Sequence, residues 1–144
     1  MAGYARPGMT SGELKVDTRG RLVTNVTREV ERFAADAASG GDGLVHVFLP
    51  HATCGVALME TGSGSEADLA DALERLLPRD DRYRHAHGSV GHGGDHLLPV
   101  FVPPSLTLPV ASGRLVLGTW QSVVLVDPNR ENNTRRVRLS FLAG

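Results

Sequence analysis

The last third of the chain leaves few ways to fold. From Leu97 to Leu142 short apolar runs alternate with turn-forming residues, too closely spaced for long helices. Leu97–Val102 and Ser105–Val110 are divided by Pro103–Pro104, and Ala111–Arg114 has the composition of a hairpin turn. Leu115–Leu117 opens a strand expected to run through Gly118-Thr119-Trp120-Gln121 into Ser122–Val126. Asp127-Pro128-Asn129 turns the chain again. In the final run Val137, Leu139 and Phe141 alternate with Arg136, Arg138 and Ser140, the period-two pattern of a half-buried strand.

Helices belong to the first half. Val26, Val30, Phe33, Ala34 and Ala37 fall on one face of a 3.6-residue period, with Thr24 or Asn25 placed to cap the start and Gly40–Gly41 to stop it. A second helix is expected over Ser65–Leu77. Ser65 would cap it, Glu66 and Asp68 sit in its first turn, Leu69, Leu73, Leu76 and Leu77 form its buried stripe, and Pro78 ends it. Its Gly-rich entry lacks the Gly-Lys-Ser/Thr of a phosphate-binding loop, and the two acids oppose an anion there. Leu44–Leu49 reads as a buried strand containing His46 as a core histidine, and Cys54–Met59 as its antiparallel neighbour across a short turn. Leu14 and Val16 mark a short strand ending near Arg19–Gly20. Strands outnumber helices, so the expected class is α+β: a single domain with largely antiparallel β layers and two main helices. Residues 1–12, with three glycines and a proline, read as a flexible N-terminal arm, leaving 13–144 as the domain.

Fifteen basic against sixteen acidic residues argue against a chain built around nucleic acid or an anionic membrane. The one cysteine, Cys54, cannot form an internal disulfide, and inside an apolar run it reads as a small hydrophobe. The N-terminal residues carry no apolar secretory core, and no run approaches a membrane span in length. A cytoplasmic protein is expected.

Chemistry concentrates in Tyr83–Leu98, Y-R-H-A-H-G-S-V-G-H-G-G-D-H-L-L, which holds four of the six histidines: His85, His87, His92 and His96. Imidazole is the commonest metal ligand and titrates near neutrality, and the intervening glycines let such donors bend toward one point. His85 and His87 would share a face if extended. His92 and His96 would share one if helical, though Gly93–Gly94 disfavours a helix there. His51, just past a buried strand, could join from elsewhere. Three neutral imidazoles with a fourth position open form a catalytic zinc pattern, and Asp95 could orient a ligating ring from outside. Glu60 ends an apolar strand as an isolated carboxylate. Arg135 faces the same side as Val137 and Leu139, where it needs an anionic partner, either a protein carboxylate or a bound anion.

Pro50-His51-Ala52-Thr53-Cys54-Gly55, followed by Met59-Glu60, resembles the H-T-T-A-G…N-E motif of the YjbQ-type family, sometimes labelled a secondary thiamine-phosphate synthase. Tyr83-Arg84-His85 ahead of Asp95-His96-Leu97 resembles its paired-histidine segment. Gly113–Gln121, G-R-L-V-L-G-T-W-Q, is similar to its G-x-L-x-L-G-T-W-Q, and Arg135 falls on its C-terminal arginine. The resemblance implies a compact α+β subunit, a homotrimer and a divalent metal, zinc by preference, held by His51, His85 and His96. It implies Glu60 and His51 as catalytic groups, and Trp120, Gln121 and Arg135 as substrate contacts. Met59 and the stretch Leu97–Pro104 depart from the family pattern, which loses an asparagine beside Glu60 and a lysine after His96. The expected function is a metal-dependent enzyme acting on a small phosphorylated metabolite, with thiamine-phosphate synthase-like activity as one form. The alternative is a non-catalytic trimeric metal- or metabolite-binding protein.

Overall fold

A computed structural model describes residues 8–144 as two antiparallel sheets and three helices. The larger sheet holds β1 (Met9–Asp17), β8 (Thr134–Ala143), β3 (Gly43–Phe48), β5 (Ser105–Ala111) and β6 (Arg114–Leu115), in that order. The smaller holds β2 (Val23–Asn25), β7 (Ser122–Val126) and β4 (Gly55–Met59). The helices are α1 (Thr27–Ala38), α2 (Ser65–Leu76) and α3 (His92–Phe101). Of the expected arm, residues 1–7 lie outside the described residues. Met9–Gly12 belong to β1, paired with β8 from Met9↔Leu142 to Asp17↔Thr134.

The alternation read in the last strand fixes the main core. Val137, Leu139 and Phe141 turn inward with Val45 and Val47 of β3 and Leu108 and Val110 of β5, and α1 closes over them with Val30 and Ala34. Val26, rather than Thr24 or Asn25, is the N-cap of α1, and Asn25 Oδ1 accepts the Thr27 N–H at 3.0 Å from the residue before it. β7 is apolar on both faces because both are covered. Val123 and Leu125 join the main core, whereas Val124 and Val126 pack with Leu98, Leu69, Leu73 and Leu77 beneath α2 and α3. No helix among the described residues is long and apolar enough to cross a membrane.

Four further sequence expectations are corrected. β3 and β4 are not neighbours: after Pro50, which has no N–H for a ladder, the chain crosses from the larger sheet to the smaller, and Leu49 and Val56 donate to Pro104 and Pro103 instead. The strand expected from Leu115 through Val126 breaks at Gly118–Gln121, where the chain again changes sheets. His46 is exposed rather than buried in the core, on the outer face of the larger sheet, 2.8 Å from Thr107 Oγ1. Gly64, not Ser65, caps α2, and the Glu66 carboxylate folds back to accept the Gly62 N–H at 2.9 Å. That carboxylate takes the anion position at the helix N-terminus.

A buried ion pair joins the two sheets. Arg135 and Asp127 are each 2% exposed, and Arg135 Nε and Nη2 donate to Asp127 Oδ2 and Oδ1 at 2.7 and 3.0 Å. Arg135 Nη2 also donates to Thr53 Oγ1 at 2.8 Å. Asp127→Ala would strand the guanidinium without a counter-charge. The expected loss is about 3–5 kcal/mol in urea unfolding, with most of it recovered in Asp127→Ala/Arg135→Met, where no charge is left buried.

Candidate metal centre

The imidazole site is built by Tyr83 and two glycines. α2 ends before Leu77, and Tyr83 Oη reaches back to donate to the Pro78 carbonyl at 2.8 Å. The ring then lies across the first turn of α3. A Cβ on Gly93 would sit 2.5 Å from Tyr83 Cβ and 2.9 Å from the His85 carbonyl, and one on Gly94 would sit 3.0 Å from Tyr83 Oη. The glycine pair that argued against a helix is therefore what lets the segment Tyr83–His87 lie against one. Gly91, with φ of +86°, turns the chain into α3.

Helical geometry stacks His92 and His96 one turn apart, and the Tyr83–His87 segment brings His85 and His87 over them. The nearest ring nitrogens of all four lie within 4.8 Å of one another. His92 Nε2 and His96 Nε2 are 2.9 Å apart, an N–H of one ring meeting the lone pair of the other. His85 and His87 are exposed, and His92 and His96 half-buried. Desolvation first, then the neighbouring rings His87 and His92, lowers the His85 pKa from its ordinary 6.5. Desolvation, then His92, His85 and His87, does the same for His96. These two rings are held toward the neutral form, the form that ligates a metal. Around a tetrahedral zinc ion the nitrogens would stand roughly 3.4 Å apart, so small side-chain shifts close this set on one ion. The donor set fits zinc, and other imidazole-preferring divalent ions.

The base of the site is rigid. Asp95, between the two helical histidines and 2% exposed, does not orient an imidazole as expected. Its carboxylate takes Arg79 Nη1 on one oxygen and Asn129 Nδ2, at 3.3 Å, on the other. Asn129 Oδ1 accepts the N–H groups of Glu131 and Asn132, and Glu131 Oε1 accepts the Ser89 N–H at 3.2 Å. The loop after β7 thus latches the histidine segment on one side and α3 on the other.

The same fold and sequence recur elsewhere. A family model described as UPF0047 protein YjbQ-like matches residues 12–144. The chain belongs to this family. A UPF0047 protein of Mycobacterium tuberculosis is 59% identical over 136 residues, spanning 94% of this chain and 100% of the relative. The crystal structure of a hypothetical protein from Aeropyrum pernix is 30% identical with a TM-score of 0.84, over 94% of this chain and 99% of that one. A YbjQ-like protein from Sulfolobus solfataricus shares the fold at a TM-score of 0.88 and 21% identity, over 96% and 100% of the two chains.

Of the residues that the YjbQ resemblance pointed to, the structure gathers His85 and His96, and joins them to His87 and His92. His51 stands outside that group: half-buried, its Nε2 accepts the Arg136 backbone N–H at 2.9 Å. Arg135 gives Nε and Nη2 to Asp127 and Thr53. Gln121 closes the G-T-W-Q turn, Oε1 accepting the Gly118 N–H at 2.8 Å while its own N–H returns to the Gly118 carbonyl. Trp120 is 73% exposed and Glu60 exposed at the end of β4. The Cys54 thiol is buried and pushed up to about 12 by desolvation, consistent with a core hydrophobe. The four-residue spacing of His92 and His96 was the signal for the second pair, and Gly93–Gly94 masked it.

Gly93→Ala should displace Tyr83 and the His85–His87 segment, costing about 1–3 kcal/mol in denaturant unfolding and weakening divalent binding measured by competition with a chromophoric chelator. His51 offers a pH test. Burial first, then Arg135, depresses its folded pKa below 6.5. The unfolded chain therefore binds the proton more readily, so stability is complete above pH 6.5 and falls as pH drops toward the folded pKa. Chemical denaturation of His51→Gln across pH 5 to 7.5 should show a flatter pH slope than the unmutated chain.

Proposed function

We propose that the chain is a metal-dependent enzyme whose His85, His87, His92 and His96 hold a divalent ion, zinc by donor type, and which acts on a small phosphorylated metabolite. The observation that carries this reading is the convergence of four imidazole nitrogens on a surface that solvent reaches. Structural zinc sites are closed, whereas here two of the four rings face solvent on a segment outside regular structure, so a substrate oxygen has a path to the centre. When bound, such an ion supplies polarisation of a phosphate or leaving-group oxygen. The protein's own part is to hold the four rings converged, through Tyr83 against α3 and Glu131 on Ser89. Glu60, exposed and without an ion pair among the described residues, stays as the acid–base carboxylate of this reading. Arg135 does not stay as its phosphate ligand, because it is buried with Nε and Nη2 held by Asp127 and Thr53. Thiamine-phosphate synthase-like activity, implied by the family resemblance, is the first reaction to assay. A homotrimer in the cytoplasm completes the proposal.

The rival reading is metal binding without catalysis. It draws on one observation: four imidazoles fill all four positions of a tetrahedral ion, leaving none open by default. Turnover separates the two. A panel of phosphorylated metabolites should be processed by the zinc-loaded wild type, and at least about a hundredfold more slowly by His96→Ala. Equal rates for both would end the enzymatic proposal.

Metal content tests the ligand set itself. Elemental analysis of zinc-reconstituted protein should give one ion per chain, and His87→Ala or His92→Ala should lower affinity about as much as His85→Ala. If His87→Ala and His92→Ala bind like wild type while His51→Ala does not, the ligand set is His51, His85 and His96. Sedimentation velocity reads the assembly, with three times the chain mass expected.

A further inference from the structure

A cavity of about 160 Å³ lies between α2, α3 and the turn after β7. It borders Gly94, Asp95 and Leu98, the side of α3 that helical rotation puts largely opposite His92 and His96. Its volume is comparable to that of an engineered cavity that accepts a benzene ring. The walls are apolar, formed by Leu22, Leu73, Leu77 and Leu98. Arg79 and Arg130 also line it, and both keep unspent donors. Arg79 gives Nη1 to Asp95, and its remaining guanidinium N–H groups have no acceptor among the described residues. Arg130 is exposed and has no hydrogen bond or ion pair among them.

Two of the three acids on the same walls, Asp127 and Asp95, are paired with guanidinium groups, and the third, Glu74, is exposed. Asp127 receives Arg135 on both oxygens, Asp95 receives Arg79 and Asn129, and Glu74 Oε1 accepts the Arg79 backbone N–H at 3.4 Å. The cavity therefore presents a leucine-lined apolar wall beside two guanidinium groups with free N–H donors. That combination fits a compact apolar body carrying a planar or tetrahedral anion.

We propose that this cavity is a binding site for a small organic anion, its ring-sized body against the four leucines and its phosphate or carboxylate on Arg79 and Arg130. The site rests on the phosphorylated-substrate reading only in preferring phosphate, and it supplies the anion contact that the buried Arg135 does not.

The test is a titration of the full chain with phenyl phosphate, benzoate and benzamidine, a cation of similar size, followed by backbone amide shifts. Phenyl phosphate and benzoate should move the amides of Leu22, Leu73, Gly94 and Leu98, and benzamidine should not. Tighter binding of phenyl phosphate than of benzoate would make phosphate the head group. Arg130→Gln should weaken binding about tenfold. Ala70→Trp, an exposed substitution on the cavity wall, should abolish it with circular dichroism and thermal unfolding unchanged. Shifts confined to His85–His92, equal affinity in wild type and both variants, or benzamidine binding as tightly as benzoate would each overturn the site. Because binding is read without turnover, a chain that binds phenyl phosphate here yet processes no phosphorylated substrate would sink the enzymatic reading alone.

Discussion

The Asp127 carboxylate holds together the half of the molecule that carries chemistry. It takes Nε and Nη2 of Arg135 from β8, and the Asp127 backbone N–H reaches the Leu22 carbonyl ahead of β2. It also accepts the N–H of Asn129, whose side chain goes on to Asp95 in α3 and to the loop that reaches Ser89. A chain of polar contacts, buried from Thr53 to Asn129 and exposed at Glu131 and Ser89, thus runs to the histidine segment through elements far apart in sequence. Burying these charges gains little stability over an apolar core. Its contribution is register: only one placement of α3 and of the turn after β7 satisfies every member.

The features legible in the sequence were those set by local period. The alternation of Val137, Leu139 and Phe141, and the helical spacing of Val26, Val30 and Ala34, encode which side is buried without reference to any partner. What escaped was set by partners distant in sequence. Nothing local shows that Pro50 and the G-T-W-Q turn are the points where the chain changes sheets. α3 was hidden because glycine lowers helix propensity, and here the packing of Tyr83 outweighs that cost.

The candidate site divides the same way. Four histidines in one segment declared the chemistry, yet their selection by motif and their selection by geometry differ. The motif favours His51, His85 and His96. The fold converges His85 and His96 with His87 and His92, and leaves His51 beside Arg136. Arg135 was correctly placed on the inward face, where the sequence left open whether a protein carboxylate or a bound anion would match it. The answer, Asp127, lies eight residues back in the chain, just past the end of β7.

All four imidazoles fall within twelve consecutive residues, from His85 to His96. A centre assembled from so short a segment closes only a small loop, so the unfolded chain can wrap an ion with much of the same donor set. Metal that binds both states adds less to folding free energy than its affinity for the native protein implies. An ion held here would therefore organise a surface rather than staple the fold, and the domain's cohesion rests with its sheets whether the ion is present or not.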